Sequence, residues 1–143
     1  MARSEECVEK IIRVNASQHK VGLHVILEFN GVDPKKLNNL RFCRESLKEA
    51  AIAAGAKIVF VRFHHFNPQG VTGVVGVEES HLSVHTWPEH GFAAIDIFLC
   101  LNESGEKINP QAAIQVMSVR FQPKFTRLIK ISRGPEKKFI APA

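Results

Sequence analysis

Lys57-Ile-Val-Phe-Val-Arg-Phe-His-His-Phe66, Val71-Thr-Gly-Val-Val-Gly-Val77, His81-Leu-Ser-Val-His-Thr-Trp87 and Phe92-Ala-Ala-Ile-Asp-Ile-Phe-Leu-Cys-Leu101 follow one another along the chain. Each run is rich in β-branched and aromatic residues, and turn residues such as Asn67-Pro-Gln-Gly70 separate them, so each is predicted to be a strand. The connections are short and polar. A parallel crossover needs roughly a dozen residues or more, so these strands are expected to pair antiparallel.

Working outward, Val21-Gly-Leu-His-Val-Ile-Leu-Glu-Phe29 reads as a further buried strand closed by a turn at Asn30-Gly31. Asp33-Pro34 then supplies an N-cap and a first-turn proline. Leu37, Leu40, Leu47, Ala50, Ala51 and Ala54 follow at helical spacing, and Gly55 is placed to end that helix. Asn109-Pro110 repeats the start signal for a second helix, with Ala113, Ile114, Met117 and Phe121 on its inner face and Pro123 after it. Phe125 to Ile131 reads as the last strand. The expectation is an α+β two-layer sandwich, a mostly antiparallel sheet covered by two helices. Residues 1–20 show no clean period and are expected to be an arm, irregular or briefly helical.

The chain has 143 residues, 45% hydrophobic and 23% charged, enough for one domain with a core and too apolar for disorder. No apolar run reaches the ~18–20 residues of a membrane span. Glu5, Glu6 and Glu9 interrupt the region where a signal peptide needs apolar residues, so a cytoplasmic protein is expected. The net charge of +5 is local: residues 124–143 hold six basic residues and one acidic residue, and residues 21–123 hold nine and ten. A basic end with a neutral body does not favour a nucleic-acid partner. Cys7, Cys43 and Cys100 are odd in number and form no CxxC pair, which fits a reducing compartment.

The segment from Phe63 to Cys100 holds His64, His65, His81, His85 and His90, five of the seven histidines, and the single tryptophan, Trp87. His81 and His85 have a spacing that suits a metal only on a helix. On a strand, residues four apart lie about 13 Å from each other, so no metal is expected. Ser80 lacks a Gly-x-Ser-x-Gly elbow, and there is neither a GxxxxGK loop nor a GxGxxG turn.

The string Gly70-Val-Thr-Gly-Val-Val-Gly-Val-Glu-Glu-Ser-His-Leu-Ser-Val-His-Thr-Trp-Pro-Glu-His-Gly-Phe-Ala-Ala-Ile-Asp-Ile-Phe-Leu-Cys100 resembles the self-processing region of the short, prokaryotic S-adenosylmethionine decarboxylases. The core from Glu79 to Glu89 is long and unusual in composition. Weaker resemblance extends to about Val21 and Gly134, which sets off residues 1–20 as an arm, 21–134 as the domain and 135–143 as a basic tail.

The resemblance implies a pyruvoyl cofactor made from the chain itself, with no pyridoxal phosphate. Ser80 attacks the carbonyl of Glu79, and cleavage between them leaves a β chain, 1–79, and an α chain, 80–143, capped by the ketone. That ketone holds the substrate amine as a Schiff base and accepts the electrons freed as carbon dioxide leaves. By the same resemblance His85 transfers the proton during processing, Thr72 assists it, and Cys100 returns a proton to the decarboxylated carbon. Glu89 is implied to hold the ribose hydroxyls and Phe66 to stack on adenine, from the neighbouring subunit. Leu82 and Trp87 are implied to line the pocket. Family members are dimers packed through their sheets, and the product serves spermidine synthesis.

The sequence departs from the family pattern at several positions. Thr72 replaces a serine, and Leu101 follows Cys100 where glycine is usual. Gly76 and Glu78 interrupt an aliphatic run, and His90 replaces a tyrosine. Two alternatives are the same chemistry on arginine or ornithine, and a non-catalytic regulatory relative. The second should lack the processing serine.

Overall fold

The computed structural model describes residues 8–11, 21–101, 108–136 and 138. The strands are β1 (Val8–Ile11), β2 (Gly22–Asn30), β3 (Ile58–His65), β4 (Val71–Val77), β5 (Ser80–Trp87), β6 (Phe92–Cys100) and β7 (Phe125–Arg133). The helices are α1 (Pro34–Leu37), α2 (Leu40–Ala53) and α3 (Pro110–Phe121), and Pro88–His90 forms a single 3-10 turn. All seven strands join one sheet in the order β1-β7-β2-β6-β5-β4-β3. Strands β2 to β7 pair antiparallel, as expected for the α+β sandwich, and β1 adds a parallel edge beside β7. Val8–Ile11 is therefore a strand where an irregular or helical arm was expected. Its backbone groups are satisfied by an edge, which leaves no periodic signature in so short a run. The rest of the arm and most of residues 135–143 lie outside the described residues.

The first helix is also corrected. The run from Pro34 to Ala54 divides at Asn38-Asn39. Asn38 closes α1 with its backbone N–H turned to Lys36 O and Pro34 O, and Asn39 caps α2 by accepting from Phe42 N at 3.0 Å. Asparagine is among the best N-caps, so a second start forms inside one amphipathic run. Gly55 ends α2 as expected, at φ +83°. Its N–H donates to Ile52 O at 2.9 Å and that of Ala56 to Ala51 O at 3.0 Å, the Schellman arrangement.

Strand alternation gives the sheet two different faces. One register row runs Val61, Val75, Leu82, Ile97 and Val25 from β3 across to β2. This row and its neighbours lie against α2 and α3, and the core of Leu27, Phe29, Leu47, Met117 and Phe121 is fully buried between the layers. Each such side chain contributes about 1.5–3 kcal/mol by leaving water. The alternate rows carry His64, Thr72, His85, Ala94 and Glu28, then Arg62, Val74, Ser83, Asp96 and Ile26. Among the described residues no helix covers this second face, where His24 Nε2 meets Asp96 Oδ1 at 2.8 Å and Phe60 is 53% exposed. The departure at Gly76 finds its reason here: a Cβ on it would lie 2.1 Å from the Phe60 ring, which fills that space. The basic residues near the C-terminal end are also engaged, Arg127 with Glu28 at 2.8 Å and Arg133 over the Phe98 ring.

Candidate functional site

Strands β4 and β5 are joined by only two residues, Glu78 and Glu79, with Val77 opposite Ser80. So tight a hairpin requires a positive φ somewhere in its loop. Glycine would supply it without strain, but here Glu79 does so at φ +64°. For a residue with a Cβ this left-handed conformation costs roughly 1–2 kcal/mol. Among described non-glycine residues Gln122 alone shares it, as the C-cap of α3. Glu79 has no such capping role. The strain lies on the residue whose carbonyl precedes Ser80.

The hairpin tip is held from outside. Glu78 N donates to Lys57 O at 2.9 Å, and the Glu78 carboxylate meets Lys57 Nζ at 3.0 Å. The ion pair is largely exposed and contributes little by itself, so the backbone bond is the firmer tie. Neither residue was legible as a site residue; the predicted runs left three residues between Val77 and His81, and the structure begins β5 one residue earlier, at Ser80.

At the tip three groups converge. Ser80 Oγ lies 2.7 Å from the Glu79 carbonyl oxygen and 3.1 Å from Cys100 Sγ. The Cys100 thiol reaches the same carbonyl oxygen at 3.0 Å, and Cys100 N–H donates to Ser80 Oγ at 2.9 Å. Pairing of β5 with β6 produces this meeting across twenty residues of sequence. The arrangement places a hydroxyl beside an adjacent carbonyl, with a thiol able to donate to that carbonyl's oxygen. A cavity of about 270 Å³ opens beside it, lined by Gly55, Lys57, Val77, Glu79, Cys100 and Ile108. Cys43 makes a contrast: burial in the core pushes its thiol up to about 12, which keeps it protonated and inert.

The other candidates stand elsewhere. Thr72 and His85 are direct partners across β4 and β5, with Thr72 Oγ1 3.0 Å from His85 Nδ1. This pair is on the open face and five residues along β5 from Ser80, a separation of ~17 Å at strand spacing. Phe66 lies farther still toward that end, exposed, with its ring 4.7 Å from that of His64. Glu89 is on the 3-10 turn that follows β5. Trp87 is partly exposed and stacks obliquely on Phe92. Leu82 has 0% exposure on the helix-covered face, where its side chain packs the core of its own protomer. Within one protomer, then, Ser80, Glu79 and Cys100 come together, whereas Thr72, His85, Phe66 and Glu89 gather toward the opposite end of the sheet.

Comparison with known proteins adds the following. Residues 23–134 match the family model described as S-adenosylmethionine decarboxylase. The chain is 44% identical over 114 residues to an S-adenosylmethionine decarboxylase proenzyme of Acetivibrio thermocellus, covering 80% of this chain and 89% of that one. It is 42% identical over 116 residues to one of Clostridium kluyveri, covering 81% and 89%. The crystal structure of the adenosylmethionine decarboxylase from Aquifex aeolicus superposes with a TM-score of 0.74 at 30% identity, over 89% of this chain and 100% of that one.

Proposed function

The chain belongs to the S-adenosylmethionine decarboxylase family and acts as a decarboxylase of S-adenosylmethionine; from that premise we propose that it makes a pyruvoyl group by cutting itself between Glu79 and Ser80. The observation that carries this reading is the convergence of Ser80 Oγ and Cys100 Sγ on the carbonyl oxygen of a left-handed Glu79.

Attack of Ser80 Oγ on the Glu79 carbonyl carbon closes a five-membered ring. The carbonyl oxygen takes up negative charge, and the Cys100 thiol is placed to donate a hydrogen bond to it. Cys100 N–H holds the attacking oxygen in place. When the C–N bond breaks, the nitrogen takes up the proton that the Ser80 hydroxyl gave up and becomes the amine of residue 80, and the chain is joined through an ester. Release of the strained φ at Glu79 favours this step. A base then removes the Cα proton of residue 80, and the Cβ–Oγ bond breaks to free the Glu79 carboxylate. Hydration of the resulting enamine and loss of ammonia leave the pyruvoyl group.

The residues at hand fit that group, since its precursor hydroxyl and carbonyl are already adjacent. The pyruvoyl group supplies the ketone that accepts the electrons freed as carbon dioxide departs. Cys100 holds a proton within reach of the residue 80 position and delivers it to the substrate carbon.

His85 supplies the base for the elimination, oriented by Thr72 through Nδ1. It cannot do so from within its own protomer at ~17 Å along the strand. A second copy of the chain packed face to face on the open sheet, under a two-fold axis, exchanges the two ends. The Ser80 and Cys100 of one protomer then meet the Thr72, His85, Phe66 and Glu89 of the other. Phe66 stacks on the adenine and Glu89 accepts hydrogen bonds from the ribose hydroxyls. The product is an aminopropyl donor of the kind spermidine synthesis consumes.

Intact mass spectrometry tests the proposal. Purified protein is expected to give two fragments that meet between residues 79 and 80, the second bearing a ketone in place of its terminal amine. A single species of 16.0 kDa from an active preparation would overturn it.

The strain argument has its own test. Glu79→Gly keeps the left-handed backbone at no steric cost, so it is expected to slow cleavage by about 5–30-fold, the rate equivalent of 1–2 kcal/mol. Glu79→Ala retains the Cβ and should cut at close to the parent rate. Time courses on denaturing gels separate the two; equal rates for all three proteins would show that the strain plays no part.

A further inference from the structure

One acceptor atom outside the reacting groups ties down the segment that carries Phe66. Asn38, at the break between α1 and α2, accepts through Oδ1 from Gly70 N–H at 3.0 Å and is 2.8 Å from His65 Nε2. His65 ends β3 and Gly70 immediately precedes β4, so the single oxygen joins the two feet of the loop 66–70. The loop is closed on itself by Phe66 N–H donating to Gly70 O at 2.8 Å. Gly70 has φ +102°, and a Cβ on it would approach Thr86 O to 3.1 Å, so the backbone here is held close to β5. Thr86 Oγ1 anchors the neighbouring residue of the same junction: it donates to Leu37 O at 2.7 Å and accepts from Val71 N at 2.8 Å, and Thr86 is buried.

Phe66 gains little fixation from packing. It is 47% exposed, and the ring contact it makes is with His64. An aromatic plane so exposed within its own protomer is placed largely by its backbone, and the Asn38 carbonyl joins the two ends of that backbone loop.

We propose that Asn38 is a positioning residue for substrate recognition: its side-chain carbonyl, bridging His65 and Gly70, sets the Phe66 ring in the place where it receives the adenine. The inference rests on the reading of Phe66 as the adenine-stacking residue. Asn38 touches neither the reacting atoms nor the substrate, so its effect is on nucleoside affinity.

The test compares Asn38→Leu, Asn38→Asp, His65→Leu and Phe66→Ala in the full chain. Aspartate keeps an acceptor oxygen for both donors, leucine keeps none, and His65→Leu removes one donor from an exposed position. Self-cleavage is followed on gels, kcat and KM by release of labelled carbon dioxide from S-adenosylmethionine, and equilibrium binding with 5′-methylthioadenosine. Asn38→Leu is expected to raise KM and the nucleoside Kd about tenfold with kcat within about twofold, a loss within the range of one base-stacking contact. His65→Leu should raise both constants by about threefold, and Asn38→Asp should return them to near the parent values. Combined with Phe66→Ala, Asn38→Leu should add nothing further, because the ring it positions is gone.

If Phe66→Ala leaves KM and Kd unchanged, the assignment of Phe66 fails and the inference with it. If Phe66→Ala raises both constants while Asn38→Leu and His65→Leu do not, the positioning role alone is overturned. A fall in kcat with KM unchanged, or an Asn38→Asp variant as impaired as Asn38→Leu, would likewise overturn it. Should Asn38→Leu fail to fold, His65→Leu and Asn38→Asp decide the matter by the same two constants.

Discussion

Ser80→Ala is expected to leave the chain uncut and to lower decarboxylation at least ~10⁴-fold, to the background of the assay. The loss has two parts with one cause. Without Oγ nothing attacks the Glu79 carbonyl, so no ester forms and no ketone is left at residue 80. The reaction then has no electron acceptor, whatever becomes of the binding residues. Stability should change little. Ser80 Oγ accepts from Cys100 N–H, and its hydroxyl faces the Glu79 oxygen, to which it can donate, and Cys100 Sγ, at a strand end where water can replace these contacts. A net hydrogen bond is worth about 0.5–1.5 kcal/mol, too little to unfold a domain of this size. Intact mass, a carbon dioxide assay and a thermal melt on the same preparation check all three statements. Cleavage at 79–80 in the alanine variant would refute the assignment of the nucleophile.

The second large effect concerns which protomer supplies which group. Ser80→Ala and His85→Ala are each expected to be inactive alone, the first uncut and the second cut at least ~100-fold more slowly for want of a base. Co-expression of the two is expected to restore function. In a mixed dimer one interface has Ser80 from the His85→Ala chain facing His85 from the Ser80→Ala chain, and is complete. The other has neither. With random pairing half the dimers are mixed, and each has one of two sites, so activity should return to about a quarter of the parent value. Only the His85→Ala chain should be cut in the mixture, which mass spectrometry resolves. The distance along β5 is what makes this prediction sharp: residues five apart on one strand lie ~17 Å from each other, and no rotamer of histidine spans that gap. If co-expression restores nothing, each site is built from a single chain.

Much of this molecule was legible in its sequence because short-range physics dominates those parts. The runs at Val71–Val77 and Phe92–Cys100 are β-branched and aromatic and bounded by turn residues, and Asn109-Pro110 starts a helix and Gly55 ends one by backbone geometry alone. The division at Asn38-Asn39 is not legible in the sequence because apolar spacing continues across it, and periodicity reports which side faces the core, not whether the hydrogen bonds are continuous. The edge strand at Val8–Ile11 is decided by its neighbour β7, not by its own residues. Leu82 shows what a motif leaves open: the string does not state which face of β5 a side chain takes, and the structure puts this one in the core of its own protomer.

By itself the sequence determined the strands from Val21 onward, the helix starts at Asp33-Pro34 and Asn109-Pro110, a short turn ahead of His81 and the resemblance that names the chemistry, since all are local features of the chain. Tertiary structure alone decided that Cys100 reaches Ser80, that Thr72 and His85 stand at the other end of the sheet, and that Asn38 holds the loop of Phe66. Those contacts join residues thirteen or more apart, and strand geometry separates Ser80 from His85 five residues on; sheet register and the packing of helices on the sheet, which no local run of residues encodes, set them.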